Sequence, residues 1–332
     1  MTNCPGCLKD GHSTYCLPCR KRLFDGKRVS HVLPFSRPVY EEAHSAATGD
    51  RLSISGIQTK MPLVLRAGRL EMAKTGGQYI LKPIPHGAFQ RLDIVPVNEN
   101  LTMQIARQVL GIRVAENALV EFEDGELAYL VRRFDVQADG SRHLQEDFAQ
   151  IAGRSEESHG KNYKYDLSYE EIGGLIRKHV AAYQVEMEKF LRLVVFNYLV
   201  HNGDAHLKNF SLIRNEEGGD YTLTPAYDLL NTRLHVPNES RTALLLFRGD
   251  FETESFRING FYAYDDFQEL AHRLELHPAR FQRFMNTAVG KGAEIFSLID
   301  RSVLARQCKQ LYKDHVSDSI RALSYSYAKA SK

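Results

Sequence analysis

Asp204 and Asn209 stand five positions apart in Asn202-Gly203-Asp204-Ala205-His206-Leu207-Lys208-Asn209, between an apolar helical run and a short strand-like one. A carboxylate at the first position can take the proton of an attacking hydroxyl, and a carboxamide oxygen at the second can hold a magnesium ion. A second acid, Asp228 in Tyr227-Asp228-Leu229-Leu230-Asn231-Thr232, follows the next hairpin and can grip the metal from the other side. This is equipment for phosphoryl transfer, which asks a protein to neutralise phosphate oxygens, fix metal ligands and aim a hydroxyl in line. The octapeptide alone is a weak signal. Lys82 strengthens it: placed at the end of a strand-like stretch, its ammonium can sit over the α- and β-phosphates as a point charge.

Upstream of Lys82 lies Ser53-Ile54-Ser55-Gly56-Ile57-Gln58-Thr59-Lys60. One glycine makes a poor phosphate cover by itself, and an ordinary turn before a strand is the competing reading. Gly56 still lets backbone N–H groups approach phosphate, helped by short Ser and Thr side chains. Glu99, expected in the first turn of the helix after Lys82, can reach back to the lysine amine; stabilisation by the helix dipole would explain it equally well. His206 and Lys208 are placed to add positive charge beside a phosphate, though a buried loop-shaping role suits His206 as well. Arg132, Arg133 and Phe134 mark a strand-to-helix crossover, where a hinge between lobes would offer backbone groups to adenine.

The elements around these residues read as a small sheet followed by helices. Strand-like stretches cover Met61–Arg66, 78–82, 118–122 and Leu127–Arg132, the last two joined through Glu123-Asp124-Gly125-Glu126. Between them Leu101, Ile105, Val109 and Leu110 recur at helical spacing, with Asn98 as the expected N-cap. Pro34 and Pro38 suggest an extended connection. After Phe134, helices are expected over 145–152, Tyr169–His179, 185–201, 264–274, 278–288 and 301–327, interrupted only by a hairpin over 210–213 and 221–225. Segment 154–166 is polar and reads as a mobile loop. The resulting expectation is an α+β, two-lobed arrangement: a Cys-rich segment over 1–30, a β-rich N-lobe over 31–134 and a helical C-lobe over 135–332.

At 332 residues, 43% hydrophobic and 25% charged, the chain has an ordinary globular composition with room for two lobes. A net charge of +2 argues against nucleic acid as the main partner. The longest apolar run, 191–200, is too short to span a membrane and carries Arg192 and Asn197. No basic-then-apolar leader is visible, so a cytoplasmic location is expected. Four of the five cysteines form Cys4-Pro5-Gly6-Cys7 and Cys16-Leu17-Pro18-Cys19. Two such knuckles can place four thiolates around one zinc ion; free thiols in a loop, or disulfides, are the other readings. Cys308 falls in a helical run and reads as packing.

Taken in order, these motifs closely resemble the HipA family of serine/threonine kinases, the toxins of bacterial toxin–antitoxin systems. The likeness runs from about residue 50 to the C-terminus. It rests on Ser-Ile-Ser-Gly-Ile-Gln, Ile-Leu-Lys-Pro, Asn98-Glu99, Arg-Arg-Phe-Asp at 132–135, Gln-Glu-Asp-Phe at 145–148, Asn-Gly-Asp-Ala-His-Leu-Lys-Asn-Phe-Ser and Thr-Pro-Ala-Tyr-Asp. The length resembles the short HipT branch, which leaves an N-terminal subdomain to a separate small HipS-like protein. The resemblance implies a HipA-like kinase fold with Asp204 as proton acceptor, Asn209 and Asp228 on magnesium, and Lys82 on ATP. It further implies that Ser55 to Lys60 form the loop over the phosphates, that Tyr227 belongs to the nucleotide site, and that Ser53 or Ser55 is autophosphorylated. Family members phosphorylate aminoacyl-tRNA synthetases and are neutralised by a DNA-binding HipB-like antitoxin. Arg132 departs from the family's hinge Glu, which leaves backbone contacts for adenine there. Aminoglycoside phosphotransferases use a similar Gly-Asp-x-His-x-x-Asn loop, so a small-molecule kinase is the first alternative, and a non-catalytic co-repressor the second.

Overall fold

The computed structural model describes residues 2–48, 59–73, 76–137, 139–214 and 219–330. Helices α1 (Leu17–Phe24) and α2 (Arg37–Thr48) precede five antiparallel strands: β1 (Met61–Arg66), β2 (Arg69–Met72), β3 (Tyr79–Lys82), β4 (Asn117–Glu121) and β5 (Leu127–Arg132). Their order is β2-β1-β3-β5-β4, with helix α3 (Val95–Gln108) inserted between β3 and β4 in the chain. Alternation along the strands assigns two buried faces. Ala118, Val120, Ala128 and Leu130 pack with Leu23, Phe24, Phe35 and Tyr40 of the N-terminal segment. Leu119, Tyr129 and Val131 point the other way, into the core that holds Leu101 and Ile105 of α3. The N-terminal segment therefore supplies the apolar cover for one face of the sheet.

Beyond Phe134 come β6 (Gln145–Asp147), α4 (Phe148–Ile151), α5 (Glu156–His159), α6 (Tyr169–His179), α7 (Tyr183–Leu199), β7 (Ser211–Arg214) and β8 (Tyr221–Leu223). The chain finishes with α8 (Glu254–Asn259), α9 (Tyr264–Arg273), α10 (Pro278–Gly290), α11 (Gly292–Arg301), α12 (Arg306–Ser324) and α13 (Tyr327–Ala330). Strands β6, β7 and β8 form a second antiparallel sheet in that order. Helix α7 is apolar nearly all round, from Met187 to Leu199, and lies in the middle of the C-lobe core. A helix buried this way is held rigidly by its neighbours. It delivers the chain directly into Asn202–Asn209. No helix among the described residues is long and apolar enough to cross a membrane.

Several expectations meet corrections. Residues 145–152 are a short strand followed by one helical turn, because Gln145–Asp147 pairs with Ser211–Ile213 of β7. Asp147 then caps α4 through a reciprocal bond with Gln150. Pro38 does not mark an extended stretch; it lies in the first turn of α2, where a missing N–H costs nothing. Segment 154–166 carries α5 and a 3-10 turn at Tyr163–Tyr165 rather than a featureless loop. Asn98 is no N-cap: α3 begins at Val95, after a 3-10 turn over Leu92–Ile94, so Asn98 is buried inside the helix and Glu99 follows the first turn.

Candidate functional site

Between the sheet of the N-lobe and the C-lobe lies a cleft of about 700 Å³, lined among others by Lys60, Lys82, Glu99, Asp204, His206, Lys208, Asn209, Tyr227 and Asp228. Residues from Lys60 to Glu239 meet here because β3 ends at this gap, α3 begins at it, and α7 leads into the loop that lines it. Thr59 accepts a hydrogen bond from Tyr40 on its hydroxyl, 3.3 Å away. Ser53, Ser55, Gly56, Ile57 and Gln58 lie outside the described residues.

Lys82 ends β3 paired with Tyr129 of β5, which aims its side chain across the floor of the cleft. Its Nζ donates to Glu99 Oε1 at 2.6 Å and also to Asp228 Oδ1. Lys82 is 4% exposed and Glu99 2%. Burial works against the ammonium, but the Asp228 and Glu99 carboxylates outweigh it and raise the lysine pKa. Burial pushes the Glu99 carboxyl up, against the pull of Lys82. Asp228 goes the other way: burial raises it, yet Lys82 and Lys60, the latter 3.7 Å from Oδ2, hold it well below the usual carboxylate range. Held ionised in this way, Asp228 could hold a metal ion in place of the lysine. Its left-handed backbone, φ 53°, turns the side chain into the cleft.

The loop bearing Asp204 is locked from behind. Asn202 bonds Asn197 through both amide and side chain, at 2.8 and 2.9 Å. The Gly203 amide donates to Thr232 Oγ1 at 2.8 Å. A Cβ on Gly203 would sit 2.2 Å from the Ser240 carbonyl oxygen, so only glycine fits. Asn209 Oδ1 accepts from the His206 amide at 3.1 Å, fixing the carboxamide that closes the loop. Tyr227 spans its outer edge, donating to the Lys208 carbonyl at 2.9 Å and meeting Ser211.

Two expectations about charge and hinge are revised. His206 is buried, which lowers its pKa to about 4 despite nearby Asp204, so it is neutral at pH 7 and adds no charge. Positive charge comes instead from Lys60, Lys164 and Lys208, all on the cleft wall. Arg132, Arg133 and Phe134 do not line the cleft. Arg132 forks onto Asp25 at 2.7 and 3.0 Å, Arg133 pairs with Asp135, and the Phe134 ring stacks obliquely on Tyr227. The Arg132 and Arg133 amides donate to the Glu116 and Gln78 carbonyls, which removes them as adenine donors.

Tyr165, Lys164 and Glu239 had no motif to announce them, and Asn98 had one that did not give its role. Tyr165 donates to Asp204 Oδ1 at 2.6 Å, and Lys164 approaches the same oxygen to 3.9 Å. Glu239 lines the cleft with its Oε2 buried and without a hydrogen-bond partner among the described residues. Burial raises the Glu239 carboxyl to about 7, a bond from Thr232 opposing and Asp204 adding to the shift. Asn98 donates to the Asn231 carbonyl at 2.9 Å and to His235 Nε2 at 2.9 Å, and accepts from the Asn231 amide at 3.0 Å. Through these bonds α3 holds the segment that follows Asp228. The adjacency Asn98-Glu99 was the one available signal: a helix turn that presents Glu99 to Lys82 must present its neighbour elsewhere.

The likenesses to known proteins agree with this geometry. The family model of the HipA-like C-terminal domain matches residues 52–295. A putative kinase of Haemophilus influenzae is 28% identical over 277 residues, covering 77% of this chain and 76% of that protein. A putative kinase of Sinorhizobium fredii, Y4dM, is 35% identical over 211 residues, 58% of this chain and 48% of its own length. The serine/threonine-protein kinase toxin HipA of Shewanella oneidensis is 29% identical over 235 residues, 64% of this chain and 49% of that protein. The chain thus matches about half the length of these last two relatives. Among solved structures, Shewanella oneidensis HipA in complex with HipB and operator DNA superposes with a TM-score of 0.60 at 22% identity, covering 82% of this chain and 65% of that one. The Helicobacter pylori kinase CtkA superposes at 0.51 with 15% identity, covering 79% and 90%. Those two establish an α+β, two-lobed, protein-kinase-like fold, and the match over 52–295 establishes that the chain belongs to the HipA-like C-terminal domain family.

Proposed function

We propose that this protein is an ATP- and magnesium-dependent serine/threonine protein kinase that acts as the toxin of a toxin–antitoxin pair. The observation that carries the reading is the convergence of Lys82, bonded to Glu99 and Asp228, with Asp204 and Asn209 in the lining of one cleft. Each has the chemistry its role needs. Asp204 would take the proton of the acceptor hydroxyl, Lys82 would contact the phosphates, and Asp228 with Asn209 would hold magnesium, which would supply positive charge against the phosphate oxygens. Lys60 and Lys208 add charge at the phosphate end, and Tyr227 braces the loop that carries Asn209. Adenine, at the hinge end, is held by contacts other than the Arg132 and Arg133 amides.

The finer assignments are proposals drawn from the family. The acceptor protein is an aminoacyl-tRNA synthetase, and the loop that contains Ser53 and Ser55 is autophosphorylated. Phosphate there adds about −1.5 to −2 charges at pH 7, which repels ATP from the same site. The Shewanella protein was solved with HipB and operator DNA, and a HipB-like antitoxin is proposed for this chain, with DNA reached only through it. A HipS-like small protein is a further proposed partner, and the cytoplasm the proposed location. In this reading residues 1–30, 31–134 and 135–332 are the functional units. Cys4, Cys7, Cys16 and Cys19 do not line the cleft and take no part in this chemistry.

The test is incubation of the purified chain with ATP and magnesium, read by intact mass and by phosphosite mapping, beside Asp204→Asn. The parent should gain phosphate on Ser53 or Ser55, and the variant should be slower by about 10²–10⁴-fold, the range for a lost general base. Nucleotide binding should survive in the variant. Equal phosphate incorporation in both proteins would remove Asp204 from its role. Phosphorylation of an added aminoglycoside but of no protein would favour the small-molecule alternative.

A further inference from the structure

Far from the cleft, the N-terminal segment gathers four sulfur atoms. The Sγ atoms of Cys4, Cys7, Cys16 and Cys19 all lie within 4.8 Å of one another. None is in a disulfide; Cys7 and Cys16 sulfurs are 3.6 Å apart, far beyond bonding distance. Tetrahedral Zn–S bonds of about 2.3 Å require sulfurs about 3.8 Å apart, so the cluster is within about 1 Å of that geometry.

The backbone around the sulfurs is built for this convergence. Cys4-Pro5-Gly6-Cys7 turns back on itself, the Leu8 amide donating to the Cys4 carbonyl at 2.9 Å and the Cys4 amide to the Lys9 carbonyl at 2.8 Å. A Cβ on Gly6 would lie 2.8 Å from Cys19 Sγ, so the second knuckle packs directly against that glycine. Cys16 is the N-cap of α1 and Pro18 sits in its first turn, so Cys16 and Cys19 leave a helix start whose dipole favours negative sulfur. N–H groups reach the sulfurs as well: the Cys16 amide donates to Cys4 Sγ at 3.2 Å and Arg22 Nη2 to Cys19 Sγ at 3.4 Å. Four buried or half-buried thiols, with hydrogen bonds directed at sulfur, are a soft tetrahedral donor set.

The same segment grips the hinge side of the N-lobe. Within the first knuckle, the Pro5 carbonyl accepts from the Leu119 amide of edge strand β4 at 2.9 Å. Gln108, at the end of α3, donates to the Cys7 carbonyl at 3.0 Å. Asp25, just after α1, holds Arg132 at the end of β5, and Tyr79 of β3 donates to the Leu23 carbonyl at 2.7 Å. Asn3 reaches the C-lobe, donating to the Arg301 carbonyl at 2.9 Å. The apolar residues of the segment, Leu23, Phe24, Phe35 and Tyr40 among them, are taken up in covering the sheet, so the knuckle turns that carry the sulfurs gain most from a cross-link.

We propose that Cys4, Cys7, Cys16 and Cys19 bind one Zn²⁺ as thiolates, exchanging their thiol protons for the metal, and that this ion fastens the N-terminal segment to β4 and to the hinge end of β5. The ion is structural: all four positions are taken by protein, so no site is left for substrate. Metal loss frees the knuckles, releases the hold of Pro5 on Leu119 and loosens α1, whose end carries the Asp25 that holds Arg132.

The full chain, purified without chelator, should carry about one zinc by elemental analysis. Removing it should lower the melting temperature by at least about 5 °C, restored by zinc. Amide exchange over residues 116–134 should quicken in the metal-free form. Reduced metal-free chain titrated with cobalt(II) should develop the absorption of a tetrahedral cobalt–thiolate centre, and the Cys7→Ser, Cys16→Ser double variant should not. If that variant fails to fold, the cobalt titration of the parent decides. A chain that arrives without metal, stays colourless with cobalt and melts identically with and without chelator overturns the proposal. Iron in place of zinc, or zinc retained by the double variant, does so too. Kinase turnover is a separate readout, so failure here leaves the cleft chemistry standing.

Discussion

Replacing Lys82 by Met would place two carboxylates face to face in a site the lysine now neutralises. Lys82 and Glu99 are both almost wholly buried, and the ammonium bonds Glu99 at 2.6 Å as well as Asp228. Removing one member of a buried ion pair typically costs about 3–5 kcal/mol, because the partner is left charged and dry. Proton uptake by Glu99, whose pKa burial already raises, limits that cost at low pH. The sign follows from each acid. The lowered pKa of Asp228 contributes stability that is present above about pH 4 and lost as pH falls, and most of it depends on Lys82. The raised pKa of Glu99 favours folding most fully below about pH 4.5 and loses that contribution as pH rises through its folded value; without Lys82 the loss is larger. The Asp228 contribution is the same at pH 5 and pH 8, so the pH dependence comes from Glu99, which makes the variant's deficit greater near pH 8 than near pH 5. Urea unfolding of parent and Lys82→Met at the two pH values measures it, and Lys82→Met/Glu99→Gln should recover at least about 1 kcal/mol at pH 8 through the coupling of contacting groups. A Lys82→Met deficit that is negligible at pH 8, or equal at both pH values, would refute the reasoning.

Other changes probe the walls of the cleft. Tyr165→Phe removes a hydroxyl that now occupies Asp204 Oδ1; since a hydrogen bond to a charged group contributes about 1.5–3 kcal/mol, KM for a protein acceptor should fall several-fold with kcat little changed, and an increased KM would show that the tyrosine helps to bind substrate. Gly203→Ala forces a Cβ against the Ser240 carbonyl oxygen; it should cost about 1–3 kcal/mol and displace Asp204, so a variant with parental stability and turnover would contradict the close approach. Glu239 carries a pKa raised to about 7, so its contribution to folding is complete below about pH 4.5 and is lost as pH rises through 7. Glu239→Gln should therefore exceed the parent's stability at pH 8 by about 1–2 kcal/mol and match it at pH 5, as chemical denaturation at each pH would reveal.

The placement of the candidate site residues was legible in the sequence wherever it depends on short, ordered spacing. Asp204 and Asn209 sit on one loop, Asp228 follows its hairpin, and Lys82 ends a strand with regular alternation; those placements are local consequences of backbone geometry. Strands β1 and β5 could be read to the residue for the same reason. The four cysteines also announced themselves by spacing, though only the packed structure brings their sulfurs to within 4.8 Å of one another. What the chain alone did not decide was partnership across distance. Residues 145–147 became a strand because β7 offered a pairing edge that outweighs their local helical pattern. Asn98 reads as a cap until the helix is seen to begin earlier, at which point its amide is found clamping Asn231. Whether His206 carries charge depends on how thoroughly its neighbours exclude water, a property of tertiary burial and not of its own flanking residues. The contacts of Tyr165 with Asp204, 39 positions apart, and of Arg132 with Asp25, 107 apart, exist only after lobes and segments have packed. Spacing along a chain specifies what a few adjacent residues can do; the solvent exposure and facing charges that set how they do it belong to the folded whole.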